Sequence, residues 1–375
     1  MNAMNTHTRL MFGSPSTDKD ILWATKFLAP DPFIALVHEG RRIAVMSPLE
    51  YNRAKKESNI DEVLLKDELY TAGEPLMPMR EDALRFLRRF GVTEVAVSPH
   101  FPAVVYQHLI EHGIAVHFTE PLFPERAIKT EDEVAEITRV QRFMEGAFAE
   151  ILAILAQAEI KDGYIWHNGV RLTSEKLKFA FERALLEYDC TCEATIIASG
   201  DQATDPHCAG SGPLLANVPI VCDLFPRSRK TGYWSDMSRT VCKGTLTPRA
   251  REIYNAVEEA QQLGLSMVRP GQYGHEIHAA IIAYFDKRGF ATKRVNDVWE
   301  GFFHGTGHGV GLDIHEPPFI SKRPEQLLIP GNVITIEPGL YYPGIGGVRI
   351  EDTVLVTENG YRNLATHPKG LLEIE

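Results

Sequence analysis

Five short segments in the second half of the chain set metal-type ligands beside strand-like runs. In Val221-Cys-Asp-Leu-Phe225, Asp223 closes an apolar run. In Gly232-Tyr-Trp-Ser-Asp-Met-Ser-Arg-Thr240, Asp236 stands between a turn signal and a strand signal. A lone Asp in such a place is ordinarily a turn former or cap. The alternative is two carboxylates on adjacent short strands, projecting the same way, the oxygen ligands that a hard divalent ion needs. The third segment, Phe303-His-Gly-Thr-Gly-His-Gly-Val-Gly-Leu-Asp-Ile-His-Glu316, holds His304, His308 and His315 with four glycines between them. Glycine allows close backbone approach, which frees the imidazoles to converge. In Val333-Ile-Thr-Ile-Glu-Pro-Gly339, Glu337 ends a β-branched run. A carboxylate buried there is costly unless it is paired or binds metal. In Gly347-Val-Arg-Ile-Glu-Asp-Thr353, strand alternation sets Arg349 and Glu351 on one face. That pair reads either as a ligand with its supporting arginine or as a salt bridge on an edge strand.

Two Asp, two Glu and at least one His form a mixed nitrogen and oxygen donor set. Such a set suits two divalent ions, Mn, Co, Zn or Fe, sharing bridging carboxylates. Paired ions about 3.5–4 Å apart hold a water as hydroxide at neutral pH, a hydrolytic nucleophile.

Positioning these residues takes a substantial scaffold. At about 150 residues per domain, 375 residues predict two or three domains. Residues 1–125 read as a small α/β domain. Strands are expected at Phe33–Val37 and Arg42–Ser47 around Glu39-Gly40, a hairpin signal. Helix formers follow over Pro48–Ser58. An amphipathic helix over Glu81–Phe90 is stopped by Gly91 before a strand over Val92–Ser98. Tyr106–Glu111 and Ile114–Phe118 repeat the helix-then-strand order. The alternation implies an open mixed sheet carrying helices. Glu120-Pro-Leu-Phe-Pro124 reads as a linker. Residues 126–375 then form a second domain. Thr130 and Glu133 make a capping box that opens a helix toward Ala156. Helices follow over Ser174–Tyr188, Arg249–Val268 and Gly274–Arg288, with strands over Glu193–Ser199 and Pro219–Leu224. Beyond residue 300 the chain is Gly-rich and β-rich.

DLFP…GYWSDMSRT, HGTGHGVGLDIHE, ITIEPGLY and GVRIEDT, in that order, resemble the pita-bread dinuclear metallopeptidases of peptidase family M24. The family includes prolidase, aminopeptidase P and methionine aminopeptidase, and the resemblance runs from Ile128 to the C-terminus. It implies an α/β (α+β) architecture, with a creatinase-like N-terminal domain before a pita-bread catalytic domain. Methionine aminopeptidases generally lack that first domain. Carried over, the metal ligands are Asp223, Asp236, His308, Glu337 and Glu351. Also by resemblance, His207 contacts substrate, and His304 lines the pocket for the residue after the scissile bond. His315 stabilises the tetrahedral oxyanion, and Arg349 orients a bridging Asp. Glu337 is the expected proton carrier.

Two departures from the family pattern stand out. Leu224-Phe-Pro226 follows Asp223 where a small residue and Gly are common, and the stretch to Asp236 is slightly longer. Phe319 stands where several prolidases carry an Arg that grips the dipeptide carboxylate, with Lys322 and Arg323 close by in sequence. The resemblance implies hydrolysis of Xaa-Pro bonds in short peptides by two divalent ions, Mn(II) first. Xaa-Pro dipeptidase is placed ahead of Xaa-Pro aminopeptidase. A metal-free creatinase-type hydrolase and a non-enzymatic binding protein are the rivals, and retention of all five ligand types argues against both.

Fifty acids against 39 bases give a formal charge of −11, contrary to the basic footprint of a nucleic-acid binder. No apolar run reaches the ~18 residues of a membrane helix. The N-terminus lacks a basic start followed by an apolar stretch, so no secretory signal is expected. Cys190, Cys192, Cys208, Cys222 and Cys242 are few and scattered, as reduced thiols of a cytoplasmic protein are. Cys190 and Cys192 read as ordinary residues near a buried strand. A cytoplasmic homodimer, without nucleic-acid or membrane partners, is the expectation.

Overall fold

The computed structural model describes residues 8–323, 326–370 and 372–375. The chain divides into one unit that ends at Arg126 and another that starts at Ala127.

Among the described residues, the first unit is a six-stranded mixed sheet with four α-helices. Its strands are β1 (Arg9–Gly13), β2 (Phe33–His38), β3 (Arg41–Met46), β4 (Glu62–Leu65), β5 (Glu94–Val97) and β6 (Ala115–Phe118), in the order β4-β3-β2-β1-β5-β6. The β2–β3 hairpin turns at Glu39 and Gly40, with φ of 50° and 78°, the positive pair that a tight hairpin turn of this hand requires. The amphipathic segment forms a helix over Met79–Arg89 and buries Leu84, Phe86 and Leu87. Sequence reading does not reach β1 and β4, which are only five and four residues long.

The second unit contains two helix-pair-plus-sheet halves, each with its own core. In the first half, α5 (Glu131–Gln157) opens where expected. Glu133 N–H donates to Thr130 Oγ1 at 3.3 Å, and Thr130 N–H donates to Glu133 Oε2 at 2.9 Å. It packs with α6 (Ser174–Leu186) against a four-stranded sheet. That sheet contains β7 (Ile196–Ser199), β8 (Ile220–Leu224), β9 (Met237–Lys243) and a last strand over Leu372–Ile374. In the second half, α7 (Pro248–Met267) and α8 (Gly274–Lys287) share a core with a five-stranded sheet. Its strands include β10 (Gly307–Gly309), β11 (Glu316–Ile320), β12 (Val333–Ile336) and β13 (Asp352–Thr357). The hairpin Gly339–Tyr342 with Gly346–Arg349 stands beside it. Ligand-type residues therefore come from both halves.

Candidate metal centre

Register explains why the two aspartates converge. On β8, Ile220, Cys222 and Leu224 enter the first core, so alternation turns Asp223 to the other face. Its partner across the ladder is Ser238 on β9, and Asp236 immediately precedes that strand. His308 is the middle residue of β10 and Glu337 follows β12. Glu351 lies just before β13, its N–H bonded to Ser238 O at 3.1 Å. Ligand atoms of Asp236, His308 and Glu351 lie within 4.8 Å of one another. His308 Nε2 is 3.7 Å from Asp236 Oδ2 and 3.4 Å from Glu337 Oε1. Asp223 joins through Ser238, whose Oγ is 2.7 Å from Asp223 Oδ1 and 2.9 Å from Glu351 Oε2.

Like charges at this spacing oppose one another. Burial and then the Glu351 charge raise both Asp236 and Glu337 well above the carboxylate range. Burial and then the Asp223 charge push Glu351 up to about 8. His308 is pushed down to about 3 by burial, which leaves the neutral imidazole that binds metal. Asp236 Oδ1 and Glu351 Oε1 are buried with no hydrogen-bond partner. Ser238 accepts from Arg349 Nε at 2.9 Å, and its single proton serves only one of its two carboxylates. Crowded carboxylates, two orphaned oxygens and a neutral imidazole are what divalent cations satisfy, so the donor set fits such ions.

The remaining predicted residues surround this cluster. Arg349 is buried and donates from Nη2 to Asp223 Oδ2 at 2.6 Å and from Nη1 to Tyr341 Oη at 3.0 Å. With its oxygen accepting, Tyr341 gives its proton to His304 Nε2 at 2.9 Å. His304 Nδ1 then donates to Gly305 O at 2.7 Å. Burial holds this imidazole down at about 3, hence neutral, with both nitrogens occupied. His304 thus presents a ring wall, flanked by Phe302, Phe303 and Tyr341. The His315 ring stands edge-on to His308, with centroids 4.2 Å apart, and burial lowers its pKa. His207 is exposed on its loop, and its charge lowers both His304 and His315. The neighbouring Pro206 O accepts from Arg349 Nη1 at 3.4 Å. Sequence reading missed Ser238 and Tyr341. Strand alternation from Asp236 signals the first, whereas nothing local marks the second. Cys190 and Cys192 are buried and free.

The longer stretch between the aspartates has a visible use. Its short strand Arg227–Ser228 pairs with Cys190–Thr191. Trp234 then donates from N–H to Gly311 O at 2.9 Å and from its indole to Leu312 O at 3.0 Å. The loop leading to His315 is anchored there.

Charge crowding carries a stability prediction. A carboxyl whose folded pKa is raised loses its stabilising contribution as pH rises through that value. Chelator-stripped protein should therefore lose stability from the unfolded carboxylate range upward to about 8, where Glu351 ionises. Glu351→Gln should flatten that loss and raise the Tm of stripped protein at alkaline pH by several degrees. Relief of one like-charge contact is worth on the order of 1–4 kcal/mol, and each kcal/mol moves Tm by roughly 2–4 °C. A stripped variant no more stable than stripped wild type across this range would contradict the charge crowd.

The sequence profile of metallopeptidase family M24 matches residues 135–358. An Xaa-Pro dipeptidase of Pyrococcus horikoshii is 32% identical over 334 residues, covering 86% of this chain and 84% of the relative. An uncharacterized peptidase of Bacillus subtilis, YqhT, is 32% identical over 267 residues, 71% of this chain and 70% of its own. The crystal structure of the prolidase from Pyrococcus horikoshii superposes with a TM-score of 0.80 at 26% identity, over 98% of this chain and 96% of that one. An X-Pro aminopeptidase from Thermotoga maritima, at 22% identity, shares the fold with a TM-score of 0.81 over 98% of both chains.

Proposed function

With the chain belonging to metallopeptidase family M24, we propose that it hydrolyses the Xaa-Pro bond of short peptides, acting foremost as an Xaa-Pro dipeptidase. The observation that carries this reading is the buried donor cluster beside a wall of neutral His304, Phe303 and Tyr341. Relatives named Xaa-Pro dipeptidase support the substrate class. Asp223, Asp236, His308, Glu337 and Glu351 would hold two divalent cations, Mn(II) foremost, with Co(II), Zn(II) and Fe(II) compatible with the same donors. Bound there, such ions supply Lewis acidity and lower the pKa of water.

The protein's own groups do the rest. Arg349 and Ser238 fix Asp223 and Glu351. With the ions bound, Glu337 would take a proton from water and pass it to the proline nitrogen. His315 donates to the carbonyl oxygen as negative charge develops. His304 walls the pocket for a ring that offers no N–H, and His207 contacts the peptide from its loop. The protein acts as a cytoplasmic homodimer on soluble peptides. Its free cysteines suit a reducing compartment.

Phe319 occupies the place of a carboxylate-gripping Arg, which favours aminopeptidase action as the second reading. Against it, the Arg323 guanidinium lies over the Phe319 ring, 4.4 Å from its centroid. That stacking presents a cation from the same spot. Metal-loaded protein should cleave an Xaa-Pro dipeptide at higher kcat/KM than the matched Xaa-Pro-Yaa tripeptide. Arg323→Ala should raise the dipeptide KM about tenfold, the scale of one exposed charge-assisted hydrogen bond, and leave the tripeptide unchanged. An unchanged ratio removes Arg323 from carboxylate recognition, and a tripeptide preference in wild type selects the aminopeptidase.

A further inference from the structure

Residues 311–315 carry His315 to the metal centre, and their support continues into the interior. Glu316, first residue of β11, accepts from Asp313 N–H at 3.3 Å through Oε2. Its other oxygen, Oε1, receives the ammonium of Lys129. The Lys129 and Glu316 side chains are 1% and 6% exposed. A Cβ on Gly311 would sit 2.5 Å from Glu316 Oε1, so the glycine makes room for the carboxylate inside the loop. Trp234 clamps the same loop at Gly311 and Leu312 from the opposite side of the sequence.

An ion pair this dry is a poor way to gain stability, because desolvation offsets the attraction and apolar pairs of similar volume do as well. Its effect is geometric, since it fixes one carboxylate orientation and through it the loop. The Lys129 backbone is held independently: its N–H donates to Gly331 O at 2.8 Å, and Asn332 Nδ2 donates to Ala127 O at 2.8 Å. Loss of the ammonium therefore does not unmoor the segment.

We propose that Lys129 and Glu316 are positioning residues for the hydrolysis, holding the 311–315 loop so that His315 meets the reacting carbonyl. The inference rests on the Xaa-Pro hydrolase reading above. The two residues act through the 311–315 loop, from side chains held in the interior. Their effect falls on kcat, since a group misplaced by about 1 Å costs roughly 10²-fold, while KM and metal content stay put.

The test measures kcat, KM, bound metal and Tm of the full-length, metal-loaded protein on an Xaa-Pro dipeptide. Lys129→Met alone leaves a buried carboxylate without its countercharge and is expected to lower Tm as well as kcat. The double variant Lys129→Met/Glu316→Met removes both charges and is expected to return Tm close to wild type, with kcat still about 10²-fold low. A purely structural pair would regain kcat together with Tm, and that result overturns the proposal. So does a loss that falls on KM or on metal content. Wild type without Xaa-Pro hydrolysis overturns the peptidase reading itself, an outcome separate from any behaviour of the variants.

Discussion

His308→Ala should lose turnover by more than roughly 10²-fold, which is already the upper end for changes made outside the ligand shell. It should lose bound divalent metal in parallel. Among the described residues, His308 is the neutral nitrogen donor placed among Asp236, Glu337 and Glu351. Its removal leaves carboxylates that repel one another and resist ionisation, as the raised Asp236 and Glu337 show. The fold should survive. The side chain belongs to neither core of the second unit, and β10 is held by backbone pairing to β11 and β12. Glu351→Ala should behave alike, with the Arg239 bond to the Glu351 carbonyl still anchoring the strand. Metal analysis, circular dichroism and kcat on one preparation decide the matter. Metal content and rate both near wild type would remove these residues from the ligand set.

Why these candidate ligands are legible in the sequence, and some of their neighbours are not, follows from where the information sits. Candidate metal ligands stand out by residue type, and Asp223 and Glu337 each announce themselves as a carboxylate at the end of an apolar run. Alternation along a strand is local, so Arg349 and Glu351 on one face could be read without a partner. The longest elements were equally local: the Thr130 capping box and the apolar period of α5 specify that helix within itself. The short strands β1 and β4 derive their identity from the strands they pair with. Tyr341 escapes because its role exists only once Arg349 and His304 stand on either side of its hydroxyl. Lys129 escapes more completely. Its partner Glu316 is 187 residues away, and a lysine before a helix reads as solvated until the fold buries it. The departure after Asp223 was visible as extra length, but its use depends on Trp234 reaching the 311–312 carbonyls.

His315→Ala should lower kcat by roughly 10²–10³-fold, the cost of losing one donor aimed at a developing oxyanion, with KM changed far less. The ring lies edge-on to His308 and therefore beside the metal centre, and it is exposed. Burial, followed by the charge of His207, lowers its pKa. A neutral imidazole keeps one N–H to give and carries no charge that would repel cations next to it. A donor placed this way meets little partial charge on a ground-state carbonyl and much more on a tetrahedral oxygen. Its contribution thus belongs to kcat. Metal content should be unchanged, which separates His315→Ala from His308→Ala although the two rings touch. His315→Gln, which retains an N–H donor, should recover part of the loss if hydrogen bonding is the function. A pure rise in KM would make His315 a residue of ground-state binding, and loss of metal would make it a ligand. The double variant at Lys129 and Glu316 offers an independent check on the same step. If those residues act only by placing this imidazole, adding Lys129→Met and Glu316→Met to His315→Ala should cost little more than His315→Ala alone, because contributions made through one shared group do not add.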